Sequence, residues 1–177
     1  MTLRLATERD LPRILEIYAP YVEEETVSFE YETPTLAAFE KRFRSIASRL
    51  PWLVAEKEGK VVGYAYLAPA FVRAGYAWDA DLSIYVERES RRGGIGRMLE
   101  EKISALAREL GYARIYSVIS AENGSSLAFH RRMGYREAAR FARCGFKFGR
   151  WIDVVWYEKE LGGGSAPAFP LAFGGEL

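Results

Sequence analysis

Residues 81–111 constrain the fold more than any other stretch, because they read as strand, glycine turn and long helix in immediate succession. Leu82, Ile84 and Val86 alternate with Asp81, Ser83 and Tyr85, the period-2 pattern of a strand with two unlike faces. Ile95, Met98, Leu99, Ile103, Leu106 and Leu110 then recur at steps of three and four, which places one apolar stripe along a helix. Gly111 follows as a left-handed helix stop. Between strand and helix, Arg91, Arg92, Gly93, Gly94, Ile95 and Gly96 expose backbone N–H groups at the end where the helix dipole is positive. That combination suits a phosphate-bearing ligand.

The rest of the chain supplies partners for this unit. Residues 3–5 read as a short strand, and Thr7 with Asp10 opens a helix striped by Leu11, Ile14, Leu15, Ile17 and Tyr18. Residues 26–29 read as a short extended piece. Thr35 precedes a second helix with Leu36, Phe39, Phe43, Ile46 and Leu50 on one face. Residues 52–56 and 61–67 form a hairpin pair. Residues 69–78 make an aromatic loop, 114–120 a strand, and 126–133 a short helix. Residues 136–143 and 153–158 form a last strand pair joined by a connector at 145–151. This order predicts an α/β (α+β) fold with a mixed central sheet flanked by helices. It spans residues 1–161, with a Gly/Pro/Phe tail at 162–177 whose Phe169, Leu171 and Phe173 are expected to dock on a neighbouring surface.

Composition excludes several classes. Apolar residues make up 49% of the 177 and charged residues 28%, with a formal charge of +1. Nothing in that balance calls for nucleic acid. No stretch approaches the ~20 apolar residues of a membrane span. The single Cys144 and single His130 offer no disulfide framework and no metal-ligand set. The expectation is a cytoplasmic protein without a metal.

The glycine turn lacks the lysine and hydroxyl residue of a P-loop, and Leu99 stands where a dinucleotide fingerprint needs its third glycine. Taken together, however, the strand, Arg92-to-Gly96 turn, long helix, strand, Asn123–Ser126 pair, short helix and Met133-Gly134-Tyr135 resemble the GNAT family of acetyl-CoA-dependent N-acetyltransferases. Within it the chain is similar to the phosphinothricin acetyltransferase branch. The residues that carry this are Thr26 to Phe29, Tyr76 to Trp78 with Ser83 to Val86, Phe129 to Tyr135 around His130, and Gly145 to Asp153.

The resemblance implies the GNAT fold, acetyl-CoA as cosubstrate, a small amino acid as acceptor and a homodimer. It implies that backbone groups of Ile84, Tyr85 and Val86 hold the pantetheine arm. Arg92, Gly93, Gly94, Ile95, Gly96, Arg97 and Arg132 would take the cofactor's phosphates, and Asn123 would touch its arm. Phe29, Arg73, Tyr76 and Trp151 would line the amino-acid pocket, Arg73 meeting a carboxylate or phosphinate. An α-amino group has a pKa of ~8, so about a tenth is free at neutral pH and attack on a thioester needs a proton acceptor. Asp81 is the candidate base, with His130 as base or relay and Tyr85 as proton donor. The family usually carries Glu at the position of Asp81; the shorter Asp favours transfer through a water. A silent acyl-CoA sensor on the same fold and a nicotinamide enzyme are the alternatives.

Overall fold

The computed structural model describes residues 1–162 and 168–174. Its elements follow the expected order: β1 (Thr2–Leu5), α1 (Leu11–Glu23), α2 (Leu36–Ala47), β2 (Trp52–Lys57), β3 (Lys60–Pro69), β4 (Asp79–Val86), α3 (Ile95–Glu109), β5 (Arg114–Ser120), α4 (Gly124–Arg132), β6 (Arg136–Lys147) and β7 (Arg150–Glu160). The seven strands form one sheet in the order β1-β2-β3-β4-β5-β7-β6. Only β4 and β5 pair in parallel; every other neighbouring pair is antiparallel. The long α3 connection is what permits that single parallel pairing.

Helices cover both faces. On one face α3 buries Ile95, Leu99, Ile103, Leu106 and Ala107 against Leu53, Ala65, Leu67, Ala80, Leu82, Ile115 and Val155. Each such aliphatic side chain contributes about 1.5–3 kcal/mol on burial. Tyr112 N–H donates to the Ala107 carbonyl at 3.0 Å beyond Gly111, which takes φ +90° and ends α3 as expected. On the other face α1 and α2 pack Leu11, Ile14, Tyr18, Tyr21, Phe39 and Phe43 on Trp52, Val54 and Tyr64.

The start of α1 is held by Asp10. Its carboxylate accepts from Thr7 N–H at 2.8 Å and receives a bidentate Arg4 guanidinium at 2.8 Å on each oxygen. A 3-10 turn at Glu8–Asp10 precedes the helix.

Two local expectations change. Residues 26–29 join no strand, and the Ser28 carbonyl is held by Lys147 instead. The connector expected at 145–151 is largely strand, since β6 runs to Lys147 and β7 begins at Arg150. The turn between them is Phe148 and Gly149, both at positive φ (50° and 74°), which matches the twist of a two-residue hairpin. The tail's Phe169, Leu171 and Phe173 dock on their own chain. Phe169 stacks on Trp78, Leu171 N–H donates to Leu110, and Phe173 packs against the α3-side core. The glycine-rich residues 163–167, where a flexible linker is expected, lie outside the described residues.

Candidate active site

The site begins where the sheet comes apart. β4 and β5 pair at Asp79–Arg114, Ala80–Ile115 and Asp81–Tyr116, and there the ladder stops. β4 continues to Val86 and β5 to Ser120 without further pairing, so a gap opens between two strands of one sheet. Glu87 N–H donates to Val62, which sets the alternation along β4. The backbone groups of Leu82, Ile84 and Val86 therefore point into the gap and those of Ser83 and Tyr85 point to β3. Of the expected arm-binding residues, Ile84 and Val86 offer backbone groups to the gap, whereas Tyr85 does not.

Val86 is not free either. The Tyr21 hydroxyl donates to its carbonyl at 2.5 Å and lies 3.3 Å from its N–H. Arg91 covers the Tyr21 ring at 4.9 Å and pairs with Glu25. Ser117 Oγ reaches the Leu82 carbonyl at 3.5 Å. Ile84 thus presents the backbone edge that neither side chain occupies.

Asp81 stands at the fork on the α1 side of the sheet. Its Oδ1 is shut off from solvent with no hydrogen-bond partner. Burial raises its pKa to about 6, opposed only by the Leu82 backbone N–H. Such a carboxylate is poised near neutrality, where a proton acceptor works best. Tyr85 shares that face, packed edge-on against Tyr18 and Tyr21 at 5.0 and 5.1 Å and stacked on Tyr64. Burial pushes its hydroxyl well above the ordinary tyrosine value, so it stays protonated.

His130 is buried on α4, over the face that carries α3. Its Nδ1 lies 2.9 Å from the Ser126 carbonyl and its ring meets Phe129 and Tyr135 edge-on. The Nδ1 hydrogen goes to that carbonyl and leaves Nε2 as the basic nitrogen. Burial lowers its pKa, so it is neutral at physiological pH. Nearby, the buried Glu100 accepts from Ser104, Tyr135 and Lys159. No hydrogen bond joins His130 to Asp81.

At the open end of the gap lies the glycine turn. Gly94, at φ +78°, caps α3 without a side-chain acceptor, and Arg92 is also left-handed at φ +67°. The backbone donors of Ile95 and Gly96 therefore face outward at a positive helix end, a cradle that fits a pyrophosphate. Gly93 precedes them in the same exposed turn. Arg92 and Arg132 are exposed, whereas Arg97 is drawn to Glu101 at 2.7 Å. Asn123 spends its carbonyl oxygen capping α4, accepting from Ser126 N–H at 3.1 Å, and so keeps only its amide donor for a ligand.

The residues expected to line one amino-acid pocket are split between two places. Phe29 lies on Gly145, near Trp151 and Phe146 of the β6–β7 hairpin. Arg73 and Tyr76 line a separate cavity of about 380 Å³ with Arg49, Tyr112 and the tail residues Pro170 and Leu171. A second cleft, of about 570 Å³, runs between residues 23–27, residues 122–125, Phe148 and Arg150.

Of the residues on the face of Asp81, Phe71 belongs to the aromatic loop read from the sequence, whereas Tyr116, Val118, Phe141 and Trp156 escaped that reading as site residues. On its face Phe71 packs on Tyr116 and Trp156, and Val118 and Phe141 are exposed next to them. Tyr18 donates to Glu30, which is paired with Arg42. Strand register and the packing of α1, α2 and the 69–78 loop on the sheet bring these residues together; the one sequence signal was the cluster of aromatics.

Comparison with known proteins agrees with this geometry. The family model for the acetyltransferase (GNAT) domain matches residues 3–156. A phosphinothricin N-acetyltransferase of Alcaligenes faecalis is 36% identical, over 92% of this chain and 84% of its own. An L-methionine sulfoximine/L-methionine sulfone acetyltransferase of Salmonella typhimurium is 29% identical, over 94% and 98%. The crystal structure of a phosphinothricin acetyltransferase from Sinorhizobium meliloti in complex with AcCoA superimposes with a TM-score of 0.91 at 34% identity, covering 96% of this chain and 94% of that one.

Proposed function

The chain belongs to the GNAT acetyltransferase family, and on that premise we propose that it acetylates the α-amino group of a small amino acid of the phosphinothricin, methionine sulfoximine or methionine sulfone type. The observation that carries the reading is the fork itself: a carboxylate whose buried Oδ1 has no hydrogen-bond partner, at the last rung before two parallel strands part. Acetyl-CoA supplies an activated acyl thioester. Ile84 holds its arm through the backbone edge facing the gap, and the α3 N-terminus with Arg92 holds its phosphates.

The chain's own residues then handle the amine. Asp81 takes a proton from the ammonium, through a water because its side chain is short. The acceptor is held on the α1 side, against the wall that Phe29 and its connector form with the β6–β7 hairpin. Tyr85, on the same face of β4, and Tyr66, on the neighbouring β3, flank Asp81 on that side. Tyr85 keeps its proton and is the candidate to pass it to the departing thiolate, recovering one from the acetylated amine. His130, neutral with its N–H on the Ser126 carbonyl, can act there only as a relay that first takes that amine proton at Nε2. Arg73 recognises the acceptor's acidic group from the loop whose Phe71 packs on Tyr116, the β5 partner of Asp81. The apolar patch of exposed Val118 and Phe141 beside half-buried Trp156 supports a homodimer that brings a partner's loop toward the site.

A thiol-release assay with acetyl-CoA and an amino-acid panel tests the reading. Turnover on the sulfoximine, sulfone or phosphinate is the expected result. Acetyl-CoA binding without turnover on any amine would overturn it.

A further inference from the structure

Lys147 is 2% exposed although its sequence context reads as a surface hairpin. Its Nζ donates to three backbone carbonyls, Val22 at 2.6 Å, Glu25 at 2.9 Å and Ser28 at 2.6 Å. The Phe148 ring lies on a further side, 5.0 Å from Nζ. An ammonium has three donors, and all three are used. Val22 lies in the last turn of α1, whose terminal carbonyls lack helical partners and carry partial negative charge. Glu25 and Ser28 lie in the connector to α2, which has no ladder of its own.

The same connector meets the same hairpin at further points. Phe29 sits so close to Gly145 that a Cβ there would fall 2.1 Å from its ring. Tyr31 donates to the Phe146 carbonyl at 2.9 Å. Thr26 donates to Glu122, which also takes a bidentate Arg150. Lys147 is the one of these ties that is fully buried, and it holds one point in the last turn of α1 and two in the connector.

We propose that Lys147 is a positioning residue for the acceptor amine: its ammonium clamps the α1–α2 connector onto the β6–β7 hairpin and so fixes the wall that carries Phe29. The proposal rests on the acceptor-side reading above. A carbonyl cage suits a compact ammonium; a guanidinium is planar and cannot aim three donors from one point. Met in its place fills the volume and leaves the cage without a cation.

The test compares wild type, Lys147→Arg and Lys147→Met by steady-state kinetics and by amide hydrogen exchange across residues 22–31. Lys147→Met is expected to raise the acceptor KM about tenfold or more, because small misplacements of a binding wall are costly. The acetyl-CoA KM should stay near wild type, exchange in the connector should speed up, and Lys147→Arg should fall between. A folded Lys147→Met enzyme with faster exchange and wild-type acceptor KM would overturn the positioning role. Unchanged exchange would overturn the clamp itself, even if the wild type acetylated no amine in the panel. Should the Met variant not fold, the Arg variant decides by the same two readouts.

Discussion

Asp81 pairs with Tyr116 on the last rung that β4 and β5 share, so the carboxylate is fixed where the sheet opens. Its raised pKa ties activity to stability. A carboxyl whose folded pKa lies above its unfolded value contributes stability below about pH 4 that is lost as pH rises through about 6. At neutral pH the shift corresponds to a penalty of about 2–3 kcal/mol. Asp81→Asn should therefore lower kcat by ~10²–10⁴ while raising thermal stability at neutral pH. Melting curves of the two proteins should converge below about pH 4. Unchanged turnover in the variant would remove Asp81 as the base.

The element order was legible because each segment carries its own period, and α3 with its Gly111 stop is the clearest instance. The gap was not. Where the β4–β5 ladder ends depends on how strands distant in sequence align, and no local pattern in Leu82 or Val118 encodes it. Lys147 reads as a solvent cation in any local window, since its three carbonyl partners lie more than a hundred residues away. The division of Phe29 from Arg73 has the same origin: both suit a pocket wall, and only the topology sends one to the β6–β7 hairpin and the other to the cavity beside the tail.

Tyr21 holds both polar groups of Val86, on the edge expected to receive the pantetheine arm. Tyr21→Phe frees that edge and removes one hydrogen bond, at a cost of about 1 kcal/mol in stability. The acetyl-CoA KM is expected to fall a few-fold while the acceptor KM holds. A rise in the acetyl-CoA KM would instead make the hydroxyl part of the arm's own binding.

Gly145 has no room for a methyl group, because Phe29 fills its space. Gly145→Ala must push the ring away from the hairpin, at about 1–3 kcal/mol for an overpacked contact. The expected signature is a higher acceptor KM with little change for acetyl-CoA. Gly145→Ala with wild-type kinetics for both substrates would place Phe29 outside the acceptor wall.

Asp10 gives the opposite pH signature to Asp81. Arg4, hydrogen-bonded to both oxygens, and the Thr7 N–H hold its pKa down to about 2. That stability is present above about pH 4 and lost as pH falls through about 2, and it amounts to about 2 kcal/mol. Asp10→Asn should lower the melting temperature at neutral pH and change it little at about pH 2. Kinetic constants should be unaffected, because Asp10 lies at the start of α1 and away from the fork.

The tail supplies the last test. Trp78 Nε1 donates to the Ala168 carbonyl at 2.7 Å and its ring stacks on Phe169 at 4.9 Å. Phe173 N–H reaches the Arg49 carbonyl at 3.0 Å while its side chain joins the α3-side core. Pro170 and Leu171 wall the cavity that holds Arg73. A chain ending at Gly162 loses these contacts but none of the seven strands, so it should still fold. Its melting temperature should drop by about 3–8 °C, as loss of ~2 kcal/mol does in a domain of this size. Trp78, uncovered, should shift the tryptophan emission to the red. The acceptor KM should rise as the Arg73 loop loses its backing, while the acetyl-CoA KM stays put. An unchanged acceptor KM alongside the red shift would mean that the cavity around Arg73 does not serve the acceptor.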